Sequence, residues 1–338
     1  MKKKLLNFFK VGFFLGLGIF LIWLFLHNLT SLERKEILDS FTGADFWWIG
    51  ASAFMAILSH ISRTIRWTML LETMGYKPKF KNSFLAVMIG YFANLALPRL
   101  GEVTRCGILA KYEKIPIQKS FGTVITERAI DLLSLLTAFL ITFIFHLDKL
   151  SLFKKTSIYN TAVDKYYGIE SLGWFYGVGF GILLLVIAIL YFIGKKISHT
   201  DFYRKIKEIA QGFYEGIKSL VKIKRPFWFI FHSVIIWLMY LCMTWLVFFS
   251  LPETSHLGID VALAVLVFGS VGIIIIQGGI GIYPWIVAEI LALFAIPQTT
   301  GYAMGWLLWT GQTLMVILAG IVALILLPIL NRNSYEKS

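Results

Sequence analysis

The stretch Tyr91–Arg105 reads YFANLALPRLGEVTR. Its apolar run is broken by Pro98, Arg99, Gly101, Glu102 and Arg105, and apolar segments of spanning length lie on both sides. Inside lipid, irregular backbone survives only where protein buries it or where it lines a watery cavity. Ionisable groups at that depth are costly and face the interior or a pathway. The stretch is therefore a cytoplasmic loop or a re-entrant turn that carries a site.

Its flanks decide between the two. The apolar segment 83–97 has 15 residues before Pro98. At about 1.5 Å per residue it reaches little more than halfway through a hydrocarbon core of about 30 Å. After the break, residues 102–112 again look helical. Lysines stand on both sides, at 77, 79 and 81 and at 111, 114 and 119. Both ends thus belong to one face, as expected of a re-entrant hairpin. Glu102 falls in the first turn of its second half-helix, where N–H donors and the positive dipole end suit an anion.

Working outward, the chain is that of a membrane protein. Of 338 residues, 58% are hydrophobic and 15% charged, the mean hydropathy is +0.75, and several runs exceed the ~18 residues of a candidate span. The net charge of +13 is read as the positive-inside bias of cytoplasmic loops, and no nucleic-acid motif competes with that reading. Cys106 and Cys242 have no C-x-x-C spacing and are expected as free thiols. The six histidines are scattered, with no metal-ligand spacing, and read as structural or interfacial. No P-loop occurs, and no cofactor or metal is expected.

Residues 1–10 (MKKKLLNFFK) precede an apolar run, 11–26, and no small-x-small cleavage site follows. This predicts an uncleaved first helix with a cytoplasmic N-terminus. A polar outer loop at 28–45 comes next. A span at 46–71 returns inward, with Trp47 and Trp48 in the interfacial belt. Span 117–147 runs outward, 148–171 is an outer loop, and 172–194 spans inward. Residues 200–225 read as an amphipathic surface helix whose basic face suits anionic lipid, or as a joint between two halves.

Span 227–250 leads to a second broken segment: 259–276, then QGGIGIYP at 277–284, then 285–296. The loops PETSHLGID and PQTTG on either side carry no Lys or Arg, so this hairpin enters from the opposite face. Residues 300–328 span back to a cytoplasmic tail. The assigned cytoplasmic segments hold 21 Lys and Arg, the outer loops 6 and the embedded segments 5, in keeping with this topology.

Segments 46–147 and 227–328 both read span, broken hairpin, span. An offset of 181 residues places Pro98 opposite Gly279. The expectation is an all-α polytopic membrane protein of about six full spans plus two opposed re-entrant hairpins, arranged as an inverted repeat. The divisions are 1–45 (anchor and outer loop), 46–147 (first repeat), 148–226 (connecting span and amphipathic helix) and 227–338 (second repeat and tail). Pro98, Gly101, Gly278, Gly279 and Gly281 are the hinge or backbone positions. The glycines allow positive φ and close approach, or simply tight helix packing.

The embedded polar residues are the candidate substrate-binding set: Arg63, Arg66, Arg99, Glu102, Arg105, Glu127, Arg128, Asp131, Gln277 and Glu289. Arg63 and Arg66, three apart, share a helix face; they either snorkel to headgroups or bind an anion. Glu127 and Asp131 share a face, and Arg128 and Asp131 can pair at i,i+3, as an ion pair between helices or as part of a site. Arginine suits phosphate because its planar fork donates two parallel hydrogen bonds. Arg99 and Arg105, helped by Arg63 and Arg66, would hold an anionic headgroup. Glu102, Glu127, Asp131 and Glu289 would balance the arginines or carry a coupled proton.

S-R-T-I-R-W at 62–67, N-L-A-L-P-R-L-G-E-V-T-R at 94–105, T-V-I-T-E-R-A-I-D at 123–131 and Q-G-G-I-G at 277–281 resemble the lysylphosphatidylglycerol synthase transmembrane family, also called flippase-like domain proteins. The resemblance covers residues 45–328. It implies a membrane domain that moves a modified lipid between leaflets. It points to Arg63, Arg66, Pro98, Gly101, Glu102, Arg105, Glu127, Arg128, Asp131 and Gly278–Gly281 as site or hinge positions. Two departures follow. Bifunctional relatives carry a cytosolic aminoacyl-transfer domain, and this chain ends at Ser338, so a stand-alone member without lipid synthesis is expected. Relatives also place an acidic residue soon after the glycine motif; here Tyr283 and Pro284 stand there, and Glu289 comes later.

The expected function is a lipid translocase, not an enzyme, moving a lipid with an anionic headgroup or a modified phospholipid. The expected location is a bacterial inner membrane, with both termini cytoplasmic. Its partners are membrane lipids, with a homo-oligomer or an envelope protein as further candidates and no nucleic acid. The alternatives are a membrane-embedded enzyme or subunit acting on a lipid-linked substrate, and an envelope scaffold.

Overall fold

The computed structural model describes residues 31–97, 99–146 and 223–332. Pro98, the first predicted span, the connecting span and the amphipathic helix lie outside the described residues, as does the side chain of Gln277. Among the described residues every regular element is helical. They are α1 (Ser31–Gly43), α2 (Phe46–Thr73), α3 (Phe80–Ala96), α4 (Leu100–Glu113), α5 (Ile117–Phe145), α6 (Pro226–Phe248), α7 (Ile259–Ile275), α8 (Ile282–Ala292) and α9 (Gln298–Leu330).

α5, α6 and α9 are long and apolar enough to cross a membrane. Their outward residues are bare leucine, isoleucine and phenylalanine, among them Leu136, Ile144, Ile230, Leu318 and Ile325. With no solvent-polar face to offer, they suit lipid. α2 is as long, at 28 residues, or about 42 Å. It is less apolar because it buries His60, Ser62, Arg63, Thr64 and Arg66 inside the protein. The protein is an all-helical, polytopic membrane protein.

One expectation is corrected at the start. Residues 28–45 were read as a polar loop, yet Ser31–Gly43 is helical. Ile37 is buried with Tyr302, Ala303 and Ala288, and Phe41 packs on the same cluster. Ile37 and Phe41, four apart, make one apolar stripe in an otherwise charged segment. That stripe is enough to seat a helix on α9.

Two short helix pairs interrupt the spans. In the first, α3 and α4 pack together, with Gly90 and Gly101 back to back. In the second, α7 and α8 pack through Gly269 against Tyr283 and Gly272 against Ile286. The helices start and stop a few residues from the expected bounds, since α3 begins at Phe80 rather than 83 and α8 at Ile282 rather than 285.

The two pairs open at opposite ends of the molecule. At the first mouth, Asn82 Nδ2 donates to Glu113 Oε1 (2.5 Å) and to Asn331 Oδ1 (3.0 Å), and Lys81 donates to the Leu330 carbonyl. This joins the start of α3, the end of α4 and the end of α9. At the second mouth, His146 at the end of α5 meets Asp260 at the start of α7, with Nε2 3.5 Å from Oδ2, and stacks edge-on against Phe294 just past α8. α2 and α6 run antiparallel between these ends. The Asp45 N–H donates to the Ser250 carbonyl, Ser52 Oγ to the Met243 carbonyl, and Ser62 Oγ lies 2.8 Å from His232 Nδ1.

The packing pattern survives exchange of α2–α5 with α6–α9. α3 packs on α9, and α7 on α5. α4 packs on α5, and α8 on α9. α2 meets α3, α5 and α9, while α6 meets α7, α9 and α5. Each half has its own apolar core. One forms around Trp67, Leu85, Leu109 and Val124, the other around Phe248, Val265, Val287 and Leu307.

Candidate functional site

The embedded charges gather where α2, α4 and α5 converge beside the first helix break. Arg63 and Arg66 lie on one face of α2 and point at α5. Glu127 and Asp131, four apart, answer from one face of α5. Arg63 Nη1 donates to Glu127 Oε1 at 2.5 Å and to Asp131 Oδ2 at 2.7 Å. Arg66 Nη2 donates to Asp131 Oδ1 at 2.6 Å. From α4, Arg105 Nη1 stands 2.9 Å from Glu127 Oε2. Arg66 and Glu127 are 0% exposed.

This geometry overturns two expectations. Arg63 and Arg66 do not snorkel, because carboxylates on the neighbouring helix hold them inside. Arg128 does not pair with Asp131 along its own helix. It donates instead to Glu102 Oε1 of α4 at 2.6 Å, since Asp131 is turned toward α2 and already takes both of its arginines. The four arginines exceed the three carboxylates by one positive charge. A buried cluster with that surplus favours an added anion.

Aromatic and amide side chains frame the charges. The Arg105 guanidinium lies 4.7 Å from the Trp67 ring centroid, a cation–π contact. Trp67 is itself fixed by donating to Thr123 Oγ1. Tyr240 of α6 accepts from Arg63 Nη2 at 3.0 Å, and Ser233 from Arg66. Asn94 Oδ1 accepts the Gly101 N–H at 2.7 Å, capping the start of α4. Sequence reasoning did not single out Tyr240, Tyr91, Trp67 or Asn94. The available signal for Tyr240 was a phenol in a membrane span, a ring whose hydroxyl needs a partner.

A small, half-open cleft lies against this cluster. Val87, Gly90, Tyr91 and Asn94 line it from α3, Gly101, Glu102 and Arg105 from α4, and Arg128 from α5. Arg105 Nη2 and Glu102 Oε2 are buried there without a hydrogen bond. Arg128 is 47% exposed at the rim. On the same three helices and the turn between α3 and α4, Leu95, Leu100, Val103, Leu132 and Leu136 are exposed and apolar.

Three predicted site members lie elsewhere. Arg99 is exposed at the tip, the residue before α4, with φ 61°. The chain takes a left-handed residue to turn there, and Arg99 makes none of the ion pairs of the cluster. Glu289 is buried in α8 of the other half and accepts from Gln298 Nε2 at 3.1 Å. It therefore does not balance the arginines. Gln277 contributes only its backbone to the description, in a 3-10 turn with Gly278 and Gly279. Gly278, Gly279 and Gly281 all take positive φ, and the Gly278 carbonyl accepts from Trp309 Nε1 at 2.5 Å.

Cys106 and Cys242 are free thiols, as expected. Among the described residues no group of His, Cys, Asp and Glu is gathered as metal ligands would be.

The chain is 26% identical over 290 residues to UPF0104 membrane protein MJ1595 of Methanocaldococcus jannaschii, covering 84% of each. It is 28% identical over 105 residues to Glycosyltransferase AglD of Haloferax volcanii, a match to 31% of this chain and 17% of that protein. No solved structure matches. The family model for the lysylphosphatidylglycerol synthase TM region matches residues 9–332, and the chain belongs to that family.

Proposed function

We propose that this protein moves a lipid with an anionic headgroup between the leaflets of a cell membrane. One observation carries the reading. A buried arginine–carboxylate cluster with one surplus positive charge borders a half-open cleft, on helices that also carry exposed apolar side chains. A headgroup phosphate would enter past Arg128 toward Arg105, while its tails stay in lipid. Arginine's planar fork suits that phosphate.

The two helix pairs act as re-entrant hairpins in an inverted repeat, an arrangement recurrent in transporters. The mouth of the first hairpin, near Asn82 and Asn331, is cytoplasmic, because the lysine-rich loops cluster there. The membrane is the plasma membrane, the inner one in a bacterium. The protein works as a carrier and not as an enzyme, and its partners are the lipids themselves.

Headgroup accessibility in proteoliposomes tests this, with an anionic and a zwitterionic lipid side by side. Faster loss of leaflet asymmetry for the anionic lipid, weakened in Arg128→Ala, supports the proposal. Equal rates with and without protein for both lipids count against it.

The glycosyltransferase name of one partial relative favours a second reading, a membrane subunit of an enzyme acting on a lipid-linked substrate. Lipid mass spectrometry of cells with and without the protein separates the two. A missing lipid-linked product supports the subunit, whereas an unchanged lipid inventory supports the carrier.

A further inference from the structure

The two hairpin mouths are closed by different chemistry. The first is tied by amides: Asn82 and Asn331 exchange hydrogen bonds of 3.0 and 2.8 Å, and Glu113 accepts from Asn82. The second is spanned by an imidazole and a carboxylate. His146 ends α5 as Asn331 ends α9, and Asp260 begins α7 as Asn82 begins α3. The same position in the exchanged pattern thus carries a titratable pair.

The His146 ring is oriented by its own helix. Nδ1 lies 3.0 Å from the Thr142 carbonyl oxygen. A carbonyl only accepts, so Nδ1 carries the proton. In the neutral ring Nε2 is then bare, and it faces Asp260 Oδ2 at 3.5 Å without a hydrogen bond. Two lone-pair bearers confront each other across the mouth. A second proton changes that contact. The imidazolium donates from both nitrogens, to Thr142 on one side and to the carboxylate on the other, and gains charge attraction.

Asp260 is placed for this exchange. Its Oδ1 stands over Gly258, where a Cβ would collide, and this leaves Oδ2 for the ring. Its side chain is half exposed, so water delivers the proton. Among the described residues, the groups that meet the ring are Asp260 from α7, the Phe294 ring past α8 and the Thr142 carbonyl. Asp260 is the charged one of the three.

The geometry points to His146 and Asp260 as a proton-binding site that latches the mouth of the second hairpin: protonated, it ties the end of α5 to the start of α7, and deprotonated, it gives up that one contact. At the other mouth the described contacts are Asn82 with Asn331 and with Glu113, and no histidine is among them.

Hydrogen exchange of the full chain in nanodiscs at pH 5.5 and 7.5, corrected for the chemical exchange rate, reads the latch directly. Residues 258–264 are expected to exchange about two- to fivefold more slowly at pH 5.5, the size of a part-exposed ion pair. Residues 82–88 at the other mouth serve as the control and are expected to show no such difference. The difference should vanish in His146→Gln and in Asp260→Asn. Should His146→Gln fail to give a monodisperse protein, Asp260→Asn, at a half-exposed position, carries the test alone. A pH difference that persists in a folded variant overturns the latch, as does its absence from the wild type.

Discussion

Gly90 and Gly101 touch backbone to backbone: a Cβ on Gly101 would overlap the Gly90 carbonyl and come within 2.8 Å of the Asn94 side chain. The closest approach of α3 to α4 therefore depends on two missing side chains, as small-residue contacts between membrane helices do. Gly101→Ala is expected to lower stability by about 1–3 kcal/mol and to widen the cleft. Thermal unfolding in detergent measures the first effect. An unchanged melting temperature would mean the two helices are free to separate.

Glu127 receives Arg63 and Arg105 and lies 3.6 Å from Arg66. Replacing it with Gln removes the charge that holds three guanidinium groups together. Breaking a buried pair by removing one partner costs about 3–5 kcal/mol. Glu127→Gln should give little folded protein by gel filtration. Full recovery of monodisperse protein would show that the arginines find other compensation.

Arg128 sits half in the open, paired to Glu102 at 2.6 Å. Because Glu102 is only 15% exposed, Arg128→Ala leaves its carboxylate without this partner and should cost about 1–3 kcal/mol. Lipid movement should also fall several-fold, because the rim of the cleft loses its cation. A transport rate equal to the wild type would remove Arg128 from the path.

Arg99 adopts φ 61°. A left-handed conformation costs an ordinary residue about 1–2 kcal/mol that glycine does not incur. Arg99→Gly is expected to match or exceed the wild-type melting temperature and to keep transport. A loss of transport at unchanged stability would return Arg99 to the site.

Trp309 Nε1 donates to the Gly278 carbonyl at the tip of the second hairpin. Trp309→Phe leaves that carbonyl unpaired, at about 1 kcal/mol. Proteolysis of the folded protein near Gly278 should become faster in the variant. Equal cleavage rates would mean the tip is held by its glycines alone.

Much of this was legible in the chain. Both helix breaks announced themselves, because Pro98–Gly101 and Gly278–Gly281 interrupt apolar runs with residues that stop helices. Glu127 and Asp131 sharing a face was readable from their spacing alone. The partners were not. Spacing along α5 makes Arg128–Asp131 look natural, and only tertiary packing turns Asp131 to α2 and Arg128 to α4. Arg99 misled because charge in an apolar run suggests a site, while here the residue makes a left-handed turn and lies exposed. Glu289 misled in another way: a buried carboxylate says nothing of which half it serves until its partner, here Gln298, is seen. The helix at Ser31–Gly43 was missed because one Ile–Phe stripe is a weak periodic signal amid charges.

The exchange of helices between the halves sets an order on synthesis. α3 rests on α9, with the Phe92 ring seated where Gly320 has no side chain. The ribosome releases α3 some two hundred residues before α9. Throughout that interval the first helix pair lacks its cover, and the arginine cluster has only α2, α4 and α5, joined later by Tyr240 and Ser233 of α6. The final helix is therefore the closing piece of the N-terminal half as well as of its own, and a truncation before residue 320 would strand both.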